Sequence, residues 1–131
     1  MIRPAIARAI RPVLWLGVPF NAMVAAMVAF PGPLGDFAML PVVDAVFYRW
    51  MLVYFVVLFS ATYGWMAMQP IIPRPVVGLA ALGKAGVFAV ALACVLANQI
   101  PVRTFLLACG DLVFALYFFA WMRATRVAPE P

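Results

Sequence analysis

Residues 76–97 read VVGLAALGKAGVFAVALACVLA. Those 22 residues carry a single charge, Lys84. A helix needs roughly 20 consecutive apolar residues to cross the hydrocarbon layer of a bilayer. This stretch is long enough, and it sets the expected class of the chain: an integral membrane protein.

Three similar stretches lie outward of it, at residues 13–30, 50–68 and 101–122. Residues 69–75, QPIIPRP, separate the second stretch from the third. Three closely spaced prolines cannot continue a helix and make a stiff turn. Residues 98–101, NQIP, separate the third from the fourth, and Pro101 suits a helix's first turn. Short connections predict antiparallel neighbours, so the last three segments should form an up-down array. Pro19 lies inside the first segment and is expected to kink it. The reading is an all-α integral membrane four-helix bundle of up-down topology, a single transmembrane domain over residues 1–131.

The first loop, residues 31–49, is less simple. Pro31-Gly32-Pro33-Leu34 reads as a turn. Phe37, Met39, Leu40, Val43, Val46 and Phe47 then recur at roughly helical spacing. Two readings stand: a short interfacial helix on the membrane surface, or an early start to the second membrane helix. Arg3, Arg8 and Arg11 precede the first apolar run, as in a secretory leader. The run exceeds a typical leader core and ends in Pro31-Gly32-Pro33, with no Ala-x-Ala site, so a retained helix is expected.

Composition agrees. Of 131 residues, 69% are hydrophobic, and the charged ones are nine basic and four acidic. A soluble domain is about 45–50% apolar and about 25% charged. The net charge of +5 flanks apolar segments and forms no solvated basic stripe, which argues against nucleic-acid binding. Histidine is absent, which removes His-ligated haem and most zinc sites. Cys94 and Cys109 lie in apolar segments with no CxxC spacing and read as small hydrophobes. No phosphate-binding glycine loop and no nucleophile–base pair is visible. A non-catalytic role is expected.

Basic residues near the segment ends give an orientation. Arg3, Arg8, Arg11, Arg74, Arg123 and Arg126 fall on one side, Arg49 and Arg103 on the other. Both termini are therefore expected in the cytoplasm. Trp15, Trp65 and Trp121 fall near the expected inner interface and Trp50 near the outer, a depth tryptophan prefers.

Two charges fall inside the apolar segments: Lys84 and Asp111. Each costs about 2.5–3.5 kcal/mol even on lenient insertion scales. At 1.5 Å per residue, Lys84 lies about 12 Å and Asp111 about 16 Å from the inner boundary, a difference the lysine stem spans. Asn21 and Ser60 reach about the same 12 Å depth, with Thr62 and Tyr63 slightly lower. These six form the expected buried polar layer, since lipid satisfies none of them. Small residues predict which faces pack inward: Gly17 and Ala25 flank Asn21, Gly64 pairs with Ser60, and Gly110 precedes Asp111. The third segment adds Ala81, Gly83, Ala85, Gly86, Ala89 and Ala93, and is expected to be the most enclosed helix. Phe114, Tyr117, Phe118 and Phe119 are expected to face lipid or a partner. The charged layer has two readings, a register-fixing core pair or a functional site.

Tyr63-Gly64, Leu82-Gly83-Lys84-Ala85-Gly86-Val87-Phe88 and Gly110-Asp111-Leu112-Val113-Phe114-Ala115, set in four helices with a longer first loop, resemble small bacterial inner-membrane proteins of the DoxX-like type. The likeness covers roughly residues 13–122. It implies a four-helix bundle and an association with membrane redox systems, one branch being linked to thiosulfate and quinone chemistry. It transfers no cofactor ligand. The leading expectation is an accessory subunit of a larger membrane complex, in contact with lipid and with other subunits or a second copy. One rival is a small ion- or proton-coupled transporter using Lys84 and Asp111. Small multidrug transporters have the same size but carry a first-helix glutamate where this chain offers only Asn21, which is at best a faint echo of fluoride channels. The other rival is a module binding a quinone, pigment or lipid.

Overall fold

The computed structural model describes residues 2–126, with side chains from residue 5 onward. The side chain of Arg3 lies outside the described residues. Helix α1 spans Ile2–Arg8 and α2 spans Ile10–Ala29. The break at Ala9 has a local cause: Pro12 has no N–H to give to the Arg8 carbonyl. Helix α2 continues through Pro19. A π-helical turn, Pro31–Gly35, leads into a single helical turn, α3, Asp36–Ala38. Then come α4 (Val46–Met68), α5 (Arg74–Leu96) and α6 (Val102–Ala124). No strand occurs among the described residues. Helices α2, α4, α5 and α6 are each long and apolar enough to cross a membrane. The chain is an all-α, multi-pass membrane protein.

The first loop forms neither of the two expected helices in full. Residues 40–45 are non-helical, and α4 begins at Val46. Met39 adopts a left-handed conformation at φ 53° and ends α3. Pro41 disfavours helical backbone at Leu40 and has no N–H of its own. The Thr104 hydroxyl lies 2.9 Å from the Ala38 carbonyl oxygen and 2.7 Å from that of Met39, so it pins this turn to α6. At the other hairpin, Asn98 takes φ 56° and ends α5, a conformation asparagine tolerates better than most residues.

The helices pack as two antiparallel hairpins, α2 with α4 and α5 with α6. Gly17 lets the Tyr63 ring of α4 approach so closely that a Cβ there would sit 2.6 Å from it. Phe20 of α2 meets Gly110 of α6 in the same way, at 2.7 Å. Tyr63 and Phe118 stack edge-on across the hairpins, with centroids 5.9 Å apart. Although α4 and α5 are consecutive, they form no tight seam. The buried side chains of α4 begin at Ser60, and those of α5 end at Lys84. Below this level the bundle is closed. Above it, toward the first loop, α4 and α5 stand apart.

This splay corrects two expectations. The third membrane helix, α5, is the least enclosed: over its apolar 18-residue stretch 17% of residues are buried, against 22% for α4 and 28% for α2 and for α6. Ala81 is buried and Ala85 half-buried, but Gly83, Gly86, Ala89 and Ala93 are exposed. The small residues above Lys84 therefore face outward, because no helix of this chain covers them. The aromatic run on α6 is corrected in the opposite sense. Phe118 is fully buried, Phe114 and Tyr117 are half-buried, and Phe119 alone is exposed. Tyr117 donates to the Ile6 carbonyl at 2.8 Å and so ties α1 to α6.

Candidate functional site

The site begins with three residues that single helical faces carry inward. On α2, buried positions recur at Leu14, Gly17, Asn21 and Ala25. On α6 they recur at Thr104, Ala108, Asp111, Ala115 and Phe118. Both series advance in steps of three or four, the spacing of one helix face. On α5, Lys84 is the last buried residue. The three faces meet at one point. Lys84 Nζ donates to Asn21 Oδ1 at 2.6 Å and to Asp111 Oδ1 at 2.5 Å. Lys84 and Asp111 form an ion pair, with both side chains buried. Each charge thus has an opposite charge, and the ammonium has a neutral oxygen as well, which buried charge requires.

Aromatic faces complete the lysine's shell. Nζ lies 4.6 Å from the Phe20 ring centroid, 5.3 Å from that of Phe114 and 5.8 Å from that of Tyr63. The negative faces of such rings attract a desolvated cation. Phe20 is not among the expected site residues, although it adjoins Asn21. Nor is Phe114, expected to face lipid or a partner: it lies three residues after Asp111 and shares its face.

The expected polar layer of six residues is smaller in space. Asn21, Lys84, Asp111 and Tyr63 come together. Ser60 is buried but serves another contact, donating to the Val18 carbonyl at 2.8 Å and so joining α4 to α2. Thr62 is half-buried and donates to the Leu58 carbonyl of its own helix, again at 2.8 Å. Thr62 answers to the carbonyl four residues back and Ser60 to a carbonyl of the neighbouring helix, so depth alone did not place these two in the cluster.

Directly above the cluster lies a lateral groove of about 310 Å³. Its walls are Leu52, Val56 and Phe59 of α4, Gly83 and Val87 of α5, and Val24 and Val28 of α2. Leu40 of the first loop also lines it. Its floor is Asn21, Tyr63, Lys84 and Asp111. The walls are apolar and the polar groups converge at one end, the usual design of a small-molecule pocket. The groove exists because α4 and α5 diverge above Ser60 and Lys84. Gly83 contributes space: a Cβ there would meet only Phe59, at 3.9 Å.

A second polar region closes the opposite end of the bundle. Arg11 Nη1 donates to the Ala67 carbonyl at 2.6 Å, and Nη2 to those of Gln69 at 2.6 Å and Pro70 at 3.0 Å. Arg74 donates to the Met122 carbonyl at 2.9 Å and to the Thr125 hydroxyl. These arginines take up carbonyls that the ends of α4 and α6 leave without helical partners. Trp15, Trp50 and Trp65 are about half exposed, whereas Trp121 is 5% exposed beneath Arg74 and is no part of an interfacial belt.

Cys94 and Cys109 are free thiols. No cluster of three or more metal-ligating side chains occurs among the described residues. No family model, no curated protein and no solved structure matches the chain.

Proposed function

We propose that this protein is a non-catalytic module of a bacterial inner membrane that holds a lipid-soluble ligand in the groove between α4 and α5. The observation that carries the reading is the groove's polarity: apolar walls of about 310 Å³ ending on an ammonium, an amide and a carboxylate. An isoprenoid or acyl tail fits the walls. A carbonyl or hydroxyl head, as on a quinone or a lipid, fits the floor, where Lys84 and Asn21 offer N–H groups and Asp111 an acceptor. The DoxX-like resemblance belongs to the same proposal. Its two glycine-punctuated pieces supply Lys84 and Asp111, and its quinone-linked branch uses ligands of this chemistry. The arginine-rich end, with Arg8, Arg11, Arg74, Arg123 and Arg126, supports placing both termini in the cytoplasm.

Gentle purification followed by solvent extraction and mass spectrometry tests the reading. The expected result is one lipophile enriched over bulk lipid, and its loss in Val56→Trp, which fills the groove from α4. Extracts identical to bulk lipid, or a Val56→Trp protein with unchanged bound material, would sink it.

A second reading has its own support. Above Lys84, α5 turns Gly86, Ala89 and Ala93 outward, a small-residue face that suits close approach of another membrane helix. On this reading the chain is an accessory subunit of a membrane complex or pairs with a second copy, and it holds its ligand within that assembly.

A further inference from the structure

We propose that the arginine-rich end of the bundle holds a binding site for a phosphate group, that of an anionic membrane phospholipid. A pocket of about 490 Å³ opens there, separate from the lateral groove and independent of its occupant. Arg8, Arg11, Arg74, Trp121 and Thr125 line it together with Ile10, Ile71 and Ile72.

Four observations point to a phosphate. First, the guanidinium groups of Arg11 and Arg74 are fixed in place, each held by backbone carbonyls from a neighbouring helix end. Those partners are neutral, so they orient the forks without cancelling their charge. Second, three arginines, Arg8, Arg11 and Arg74, line this one pocket and concentrate positive charge there. Third, Trp121 lines the pocket while 5% exposed, and its ring lies 5.7 Å from the Arg74 guanidinium, a further constraint on that fork. Fourth, the pocket's rim is apolar on one side, where Ile71 is 84% exposed.

The chemistry follows from these groups. Planar guanidinium forks match tetrahedral oxyanions better than point charges do. Basic pockets between membrane helices suit acidic headgroups. Helix ends mark the depth of the headgroup layer, and an exposed isoleucine beside the charges faces an acyl chain. Inorganic phosphate offers the same oxygens but nothing for Ile71, which is why the lipid is the assigned source.

The test uses the full chain in zwitterionic nanodiscs, with retained lipid read by native mass spectrometry. The probes are phosphatidylglycerol, phosphatidylcholine and inorganic phosphate. Phosphatidylglycerol should be retained in preference to phosphatidylcholine, and inorganic phosphate should compete only weakly. Arg74→Gln should weaken phosphatidylglycerol retention roughly fivefold, the worth of one guanidinium near a charged lipid. Arg123→Gln removes the same charge from the same end without lining this pocket, and should change retention little. Equal retention of both lipids would overturn the proposal. So would equal losses in the two variants, which would mean diffuse attraction, or saturation by inorganic phosphate with no lipid preference. If Arg74→Gln does not fold, the lipid preference and phosphate competition of the unaltered chain still decide the matter.

Discussion

The two halves of this bundle, below and above the level of Lys84, are built from the same helices and the same apolar composition, yet they pack differently. Below Lys84 all four membrane helices contribute buried side chains, among them Leu14, Tyr63, Val77 and Phe118. Above it α2 and α6 still bury residues, while α4 and α5 turn theirs outward. Lipid supplies no hydrophobic force to press membrane helices together, so close packing must come from shape and polar contacts. The lower half has both. Gly17 admits the Tyr63 ring, Tyr63 meets Phe118 across the hairpins, and Arg11 and Arg74 tie the helix ends within each hairpin. The upper half has Thr104 holding the first loop and nothing that draws α4 to α5. The ion pair lies at the border, where closure stops and the groove begins.

The largest expected effect comes from breaking that border. Asp111→Asn leaves the Lys84 ammonium buried with neutral partners only. Removing one member of a buried pair costs about 3–5 kcal/mol. The double variant Lys84→Met/Asp111→Leu strands no charge and should recover most of that loss. Thermal unfolding in detergent, with the single and double variants compared side by side, measures it. If Asp111→Asn were as stable as the parent, the pair would not be what holds α5 to α6 at this level.

A smaller effect should distinguish the halves by steric fit. Gly17→Leu would drive a side chain into Tyr63, and Gly110→Leu into Phe20. Overpacking of this kind typically costs about 1–3 kcal/mol. Both variants should unfold at lower temperature than the parent. A tolerated Gly17→Leu would mean that Tyr63 can leave its position, and with it part of the groove floor.

The contrast between the halves was only partly legible in the sequence. Class and helix number follow from runs such as 76–97, because length and hydropathy are local properties. The Lys84–Asp111 pair was also legible, since two charges at matching depth in lipid have few alternatives to each other. Asn21 followed from depth and from its small neighbours Gly17 and Ala25. What depth does not give is rotation about the helix axis. Ser60 and Thr62 have the right height but answer to Val18 and Leu58. Phe118 lies seven residues after Asp111, which places it on the same buried face, so the helical spacing held a signal that its aromatic neighbours obscured. The outward turn of Gly86 and Ala89 had no such signal. Small residues read alike whether the helix that packs against them belongs to the same chain or to another.

That ambiguity gives the smallest expected effect on the isolated chain. A Cβ at Gly86 would meet nothing within 4 Å, and Ala89 is exposed. Gly86→Leu therefore creates no clash within the bundle, and replacing a helical glycine gains up to about 1 kcal/mol in propensity. Thermal unfolding of the monomer should be unchanged or slightly raised, in contrast to Gly17→Leu and Gly110→Leu. If a second membrane helix packs on this face, the same substitution keeps the two backbones apart. Cross-linking in native membranes, or the mass of the complex in mild detergent, should then show the association reduced. A monomer destabilised by Gly86→Leu would mean that the upper half of α5 is covered by its own chain. Association that survives Gly86→Leu and Ala89→Leu together would place any partner on a different face, and would leave α5 above Lys84 as a wall of the groove facing lipid.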